Sequence, residues 1–214
     1  MSSIVFYLGY ANLSTGAYGS ELALMKLIAQ LQKRNTVYVL SLDPHPAPVP
    51  GITFLSPDNY IKNKYDALVI SRYVNFFLYF PVRAPKVYIW IHDVCFQPYF
   101  NGTELPCQAR FLMENVFYDG IIVQTNWHAS MFKKMYPDTS DRLNVIGNGI
   151  DTSNFMTTLE KVPYRFIYTS SPKRGLSYLL KIFPKIREKW PTSELHIYRG
   201  PEEFTQEQNQ AIES

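Results

Sequence analysis

A chain of 214 residues, 46% hydrophobic and 15% aromatic, holds ample material for a packed core, which excludes a disordered or low-complexity polypeptide. Lys and Arg number 21 against 18 Asp and Glu, a formal charge of +3; the basic residues are scattered rather than massed, so no nucleic-acid partner is expected. Two cysteines, Cys95 and Cys107, are too few for a disulfide scaffold and lack zinc or redox spacing, and no apolar run reaches the roughly 18 residues of a membrane span.

The first residues carry no basic n-region of a secretory signal, so a cytoplasmic location is the expectation, with peripheral membrane contact left open. Residues 4–8 form an apolar run that ends at Gly9. A small-residue loop follows, and Ser20-Glu21 opens a helical pattern in which Leu24, Leu27, Ile28 and Leu31 share one face. Further short apolar runs predict strands at residues 37–42, 52–55, 67–71, 87–91, 120–123 and 143–146. Each run is continuous rather than alternating, the mark of a strand buried on both faces. Helices are predicted at 108–117 and 127–135. This alternation predicts an α/β chain with a Rossmann-like, doubly wound parallel sheet.

Composition shifts at Gly147-Asn148-Gly149-Ile150-Asp151, and a polar stretch runs to about Val162. The predicted boundary divides residues 1–158 from residues 159–214. In the second part a strand at 164–168, a loop at 170–173, a helix at 175–189 and a strand at 194–198 make one βαβ unit. A polar tail occupies 200–214.

Open α/β sheets bind ligands at the carboxyl ends of their strands, and several chemistry-bearing residues fall there. The loop ending at Tyr18-Gly19-Ser20 would let backbone N–H groups approach a phosphate or hydroxyl at a helix N-terminus; a flexible loop with Ser20 as a cap accounts for it equally well. His92-Asp93 follows the strand at 87–91, where a histidine can exchange a hydrogen bond near neutral pH; a His–Asp pair that merely holds a loop is the competing reading. Trp127-His128 sits at a helix start, where packing and capping also explain such a pair. Lys173 and Arg174 precede a helix N-terminus, a place unfavourable to cations unless an anion relieves them, which suits a diphosphate; two solvated surface charges are the alternative. There is no Asp-x-Asp, His-Glu-x-x-His or Gly-x-Ser-x-Gly, so no metal site and no serine-elbow hydrolase are expected.

Tyr18-Gly19-Ser20-Glu21, Trp90-Ile91-His92-Asp93, Thr125-Asn126-Trp127-His128, Asn148-Gly149-Ile150-Asp151 and Ser170-Ser171-Pro172-Lys173-Arg174-Gly175-Leu176, in this order, resemble the family 4 retaining glycosyltransferases of GT-B architecture. The resemblance covers roughly residues 3 to 200. It implies two Rossmann-like domains facing across a cleft, the first on the acceptor side and the second holding a nucleotide-sugar donor. It assigns His92 to the transferred sugar, with Asp93 beside it as a second catalytic candidate, Gly19 to the glycine loop near the donor phosphates or the acceptor, and Arg174, with Lys173, to the diphosphate. Tyr18, Ser20, Glu21, Trp127 and His128 fall on the acceptor side. It further implies a glycan or other hydroxyl acceptor, hexosyl transfer without a divalent metal, and no cofactor beyond the nucleotide-sugar co-substrate.

The 55 residues from 160 onward are about a third of an ordinary domain, so the expectation is a complete acceptor side joined to a shortened donor side. Two charge-assisted contacts worth about 1.5–3 kcal/mol each, set against the cost of association, predict millimolar nucleotide binding for such a chain. A lone βαβ unit also leaves sheet edges to be covered by the first domain, a second copy, a partner, or further sequence of a longer parent. The competing function is a non-catalytic glycan-binding or partner-pairing module derived from an acceptor domain.

Overall fold

The apolar runs pair side by side because each can bury both of its faces only inside a parallel sheet. The computed structural model describes residues 1–9, 19–43, 50–93, 117–155, 159–198 and 205–213. Among them β1 (Ser3–Tyr7), β2 (Thr36–Leu40), β3 (Thr53–Leu55), β4 (Ala67–Ser71), β5 (Lys86–Trp90), β6 (Gly120–Val123) and β7 (Leu143–Val145) form one sheet in the order β3-β2-β1-β4-β5-β6-β7. Each neighbouring pair in that sheet is parallel. The predicted helix at 108–117 lies, apart from Phe117, outside the described residues, as does Tyr18.

Side chains alternate between two cores. Val5, Tyr7, Leu68, Ile70, Val87, Ile89, Ile121 and Val123 pack on one face with Tyr60 of α2 (Pro57–Lys62), Phe76 of α3 (Phe76–Tyr79) and Phe132 of α4 (Asn126–Met135). Phe6, Leu8, Val37, Val39 and Trp90 pack on the other with Leu24 and Ile28 of α1 (Gly19–Leu31). Full burial of a Leu or Ile side chain is worth about 1.5–3 kcal/mol, which anchors α1 by these two residues. The aromatic stretch around Phe76 is mainly core: Val74 and Phe76 are fully buried, and the Phe76 ring meets Tyr7, Tyr60 and Phe80.

The amino edge of the sheet is tied by two aspartates. Asp66 accepts from the Ser3 amide at 2.7 Å, and Asp119 accepts from the Val87 amide at 2.7 Å and from Lys86 at 2.8 Å. The Ser3 amide and hydroxyl hold Asp66 below the usual carboxylate range, as the Lys86 ammonium does for Asp119.

The chain divides into two compact units, Met1–Ile150 and Asp151–Ser214. In the second, β8 (Arg165–Tyr168) and β9 (Glu194–Ile197) pair in parallel, and α5 (Leu176–Lys189) lies between them in sequence. The polar tail is not featureless: residues Gln206–Glu213 form α6. Thr205 Oγ1 accepts from the Gln208 amide at 3.2 Å while Gln208 Oε1 accepts from the Thr205 amide at 3.0 Å, a capping box that starts the helix.

Candidate functional site

Strand order fixes where a ligand crevice can open. The chain winds outward from β1 through β2 to β3, then crosses to place β4 on the other side of β1, so the topological switch lies between β1 and β4. The register pairs Tyr7 with Ile70, Ser71 with Trp90, and Trp90 with Ile122. Gly9, Arg72, His92 and Gln124, each one or two residues beyond its strand, therefore share one carboxyl edge. Gly9 has φ +61°, and a Cβ there would meet the Tyr73 ring at 3.1 Å, so any other residue would be strained and crowded at the first turn of this edge.

Arg72 is the hub of this edge. Its Nε donates to Asp93 Oδ2 at 3.0 Å, and its Nη1 lies 3.5 Å from Glu21 Oε1 and donates to Ser20 Oγ at 3.2 Å. Ser20 Oγ in turn donates to Glu21 Oε2 at 2.9 Å. One guanidinium thus joins the ends of β4 and β5 to the first turn of α1. Burial opposes its charge, but Asp93, Tyr73 and Glu21 outweigh that and raise its pKa. Arg72 holds φ +65°, a left-handed backbone that an L residue adopts at a cost of about 1 kcal/mol or more. The ion pairs on both sides hold it there.

His92 sits beside this cation with its ring 4.6 Å from that of Trp90. Burial, then the positive charge of Arg72, push its pKa down to about 4, against the upward pull of Asp93 and Glu21. The imidazole is therefore neutral at pH 7, able to donate from one nitrogen and accept at the other. His92 Nε2, Trp90 Nε1 and Gln124 Oε1 are buried atoms without a hydrogen-bond partner among the described residues. They fall on the same face of the edge as α1, since His92 follows Trp90 by two residues and Gln124 follows Ile122 by two.

His128 is placed differently. It is 5% exposed and spans the ends of β5 and β6: its Nε2 lies 2.6 Å from the Asp93 carbonyl, and its Nδ1 accepts from the Gln124 amide at 3.3 Å. A carbonyl only accepts, so Nε2 carries the proton and both ring nitrogens are occupied. Thr125 caps α4 by accepting from the His128 amide at 3.0 Å, which fixes the ring between the two strands. Its neighbour Trp127 is 64% exposed.

Among the other predicted residues, Ser20 and Glu21 belong to the Arg72 network, with Glu21 only 6% exposed. Gly19 opens α1, and no described atom lies within 4 Å of the position its Cβ would take. Lys173 and Arg174 lie in the second unit, exposed, on the one-turn 3-10 helix Pro172–Arg174 that Gly175, at φ +107°, joins to α5. Sequence reasoning missed Arg72, although the position that marks His92, immediately after an apolar run, marks Arg72 as well. Among the described residues no cluster of three His, Cys, Asp or Glu could hold a metal, and no helix is long and apolar enough to cross a membrane.

No protein-family model and no curated protein matches the chain. Solved structures do. Anabaena Alr3699/HepE in complex with UDP matches with a TM-score of 0.64 at 16% identity, over 99% of this chain and 65% of that one. WaaG, a glycosyltransferase involved in lipopolysaccharide biosynthesis, matches at 0.62 and 12% identity, over 98% of this chain and 67% of that one. The lipopolysaccharide outer core galactosyltransferase WaaB, in its apo form, matches at 0.53 and 9% identity, over 99% and 71%. The chain spans about two thirds of the length of these structures. At such identities the likeness is one of fold: a seven-stranded parallel sheet flanked by helices, shared with glycosyltransferases of GT-B architecture.

Proposed function

We propose that the chain serves sugar transfer from a nucleotide-sugar to a hydroxyl acceptor, with retention of configuration, in the manner of the family 4 enzymes that its motifs resemble. The observation that carries this reading is His92: a neutral, desolvated imidazole at the carboxyl edge, pinned beside Trp90 and Arg72, with Nε2 left unpartnered among the described residues. Such a group suits a sugar hydroxyl, which donates one hydrogen bond and can accept two, better than a charged ligand.

In this reading the first unit is the acceptor side and the second contributes to donor binding. His92 orients the transferred sugar while Arg72 holds Asp93 and the start of α1 in place. As the bond from sugar C1 to the diphosphate breaks and that to the acceptor oxygen forms, the C1–O electron pair leaves with the diphosphate, one of whose oxygens takes up the acceptor's proton, and negative charge grows on the leaving group. Lys173 and Arg174 stabilise it electrostatically without a divalent ion. HepE has been crystallised with UDP and with UDP and glucose, which supports uridine nucleotides as the first probes.

Calorimetric titration with UDP to several millimolar, followed by UDP-release assays on UDP-glucose and UDP-galactose, tests the reading. UDP binding that Arg174→Ala weakens, with turnover that His92→Ala lowers at least about tenfold at unchanged UDP affinity, is expected. UDP binding without turnover on any acceptor mixture would favour the non-catalytic module. Turnover indifferent to His92→Ala would remove His92 from the mechanism.

A further inference from the structure

Gln208 is 4% exposed, while its neighbours Gln206, Glu207 and Gln210 on the same helix are exposed, and its amide is fully employed. Oε1 closes the capping box with Thr205. Nε2 reaches across the second unit, donating to Ser177 Oγ at 3.0 Å and to the Pro172 carbonyl at 3.3 Å. Pro172 begins the turn that carries Lys173 and Arg174, and its carbonyl also receives the Gly175 amide that closes that turn.

The turn has a second tether. Tyr168, the last residue of β8, donates its hydroxyl to the Ser171 carbonyl at 2.7 Å, and the Arg174 amide donates to the same carbonyl at 2.8 Å. Both carbonyls at the base of the turn are thus gripped from outside it, one from the strand and one from α6. The turn ends in a left-handed glycine and bears two exposed cations, and any cost of ordering it is subtracted from the affinity of whatever anion it binds.

We propose that Gln208 is a positioning residue for the Lys173–Arg174 turn, setting the two cations for one diphosphate through the Pro172 carbonyl. This rests on the reading of that turn as a diphosphate grip. α6 is then a brace for the turn, and the capping box couples helix formation to the brace through a single side chain.

Two variants of the whole chain separate the brace from the helix. Gln208→Glu keeps an acceptor for the Thr205 amide, so α6 persists, but it has no N–H for Pro172; Gln208→Met is neutral and of similar length, and loses both functions. Both are expected to weaken UDP binding about tenfold, the equivalent of one lost buried hydrogen bond, while uridine, which lacks the diphosphate, binds both as it binds the unmodified chain. Lowering the pH toward 4 should restore UDP affinity to Gln208→Glu, relative to the unmodified chain at the same pH, because the protonated acid can donate to Pro172; Gln208→Met should show no such recovery. Hydrogen exchange at the Arg174 and Gly175 amides should accelerate in both.

Unchanged exchange at these amides in both variants would overturn the brace whatever UDP does. UDP affinity insensitive to both variants, with Arg174→Ala still weakening it, would overturn the positioning role and leave the diphosphate reading intact. UDP affinity insensitive to Arg174→Ala as well would remove that reading and the proposal with it.

Discussion

Replacing Arg72 by alanine strips the only described cation from two carboxylates at once. Glu21 is 6% exposed and the Asp93 side chain 32%, so Glu21 is left as a nearly buried anion and Asp93 as a half-shielded one. Removing one partner of a buried pair costs about 3–5 kcal/mol, and the partial exposure of Asp93 places Arg72→Ala near the lower end, about 3 kcal/mol. In a chain of this size that lowers the thermal midpoint by about 6–12 °C. Alanine keeps the strained φ of +65°, whereas glycine relieves it, so Arg72→Gly should be about 1 kcal/mol more stable than Arg72→Ala despite its greater chain entropy. Urea denaturation of both variants, together with a double-mutant cycle against Glu21→Gln, measures these terms. A loss below about 0.5 kcal/mol for Arg72→Ala, or strict additivity with Glu21→Gln, would refute the hub as described.

The depressed pKa of His92 carries a pH signature. Unfolded, the imidazole takes a proton near pH 6.5; folded, it resists until about pH 4, so its contribution is fully present above 6.5 and drains away as the pH falls to 4. After discounting for partial exposure this amounts to about 1–2 kcal/mol, and His92→Asn should flatten that part of a denaturation-against-pH curve; an unchanged slope would show the ring to be solvated. At Gly120 an added Cβ would lie 2.8 Å from Asn144 Nδ2 and 3.4 Å from the Tyr88 ring. Gly120→Ala should therefore cost about 1 kcal/mol, most of it recovered with Asn144→Ala, because the clash is with the end of a movable side chain; a full loss that Asn144→Ala does not recover would point to the backbone instead.

The strands were legible because burial on both faces writes itself as an uninterrupted apolar run; residues 67–71 and 120–123 coincide with β4 and β6. The short helices were harder. α2 buries little beyond Tyr60, yet Ser56 followed by Pro57 is a cap and first-turn signal that could have found it. In the sequence α6 has the composition of a solvated tail, and its one informative pattern, Thr205 three residues before Gln208, is easily passed over. The position of His92 and Asp93 at a strand end was readable from spacing. The partnership of Arg72 with Glu21, 51 positions earlier, was not, because it arises only when β4 crosses to the far side of β1.

That crossing has a consequence for synthesis. β1 is the first strand of this sheet to be made, but its two neighbours are separated from it by very different lengths: Ile4 pairs with Val37 on one side and Ala67 on the other. At about 5–20 residues per second, β1, an interior strand of the finished sheet, waits roughly 3–13 seconds for its second partner to be made. Until β4 arrives, β1 is an edge with open hydrogen-bonding groups, and the crevice beside it does not exist. The switch point between β1 and β4 is thus born in the same event that buries β1, before the strands that carry His92 and Gln124 are made, and a nascent chain stalled before residue 71 would have neither.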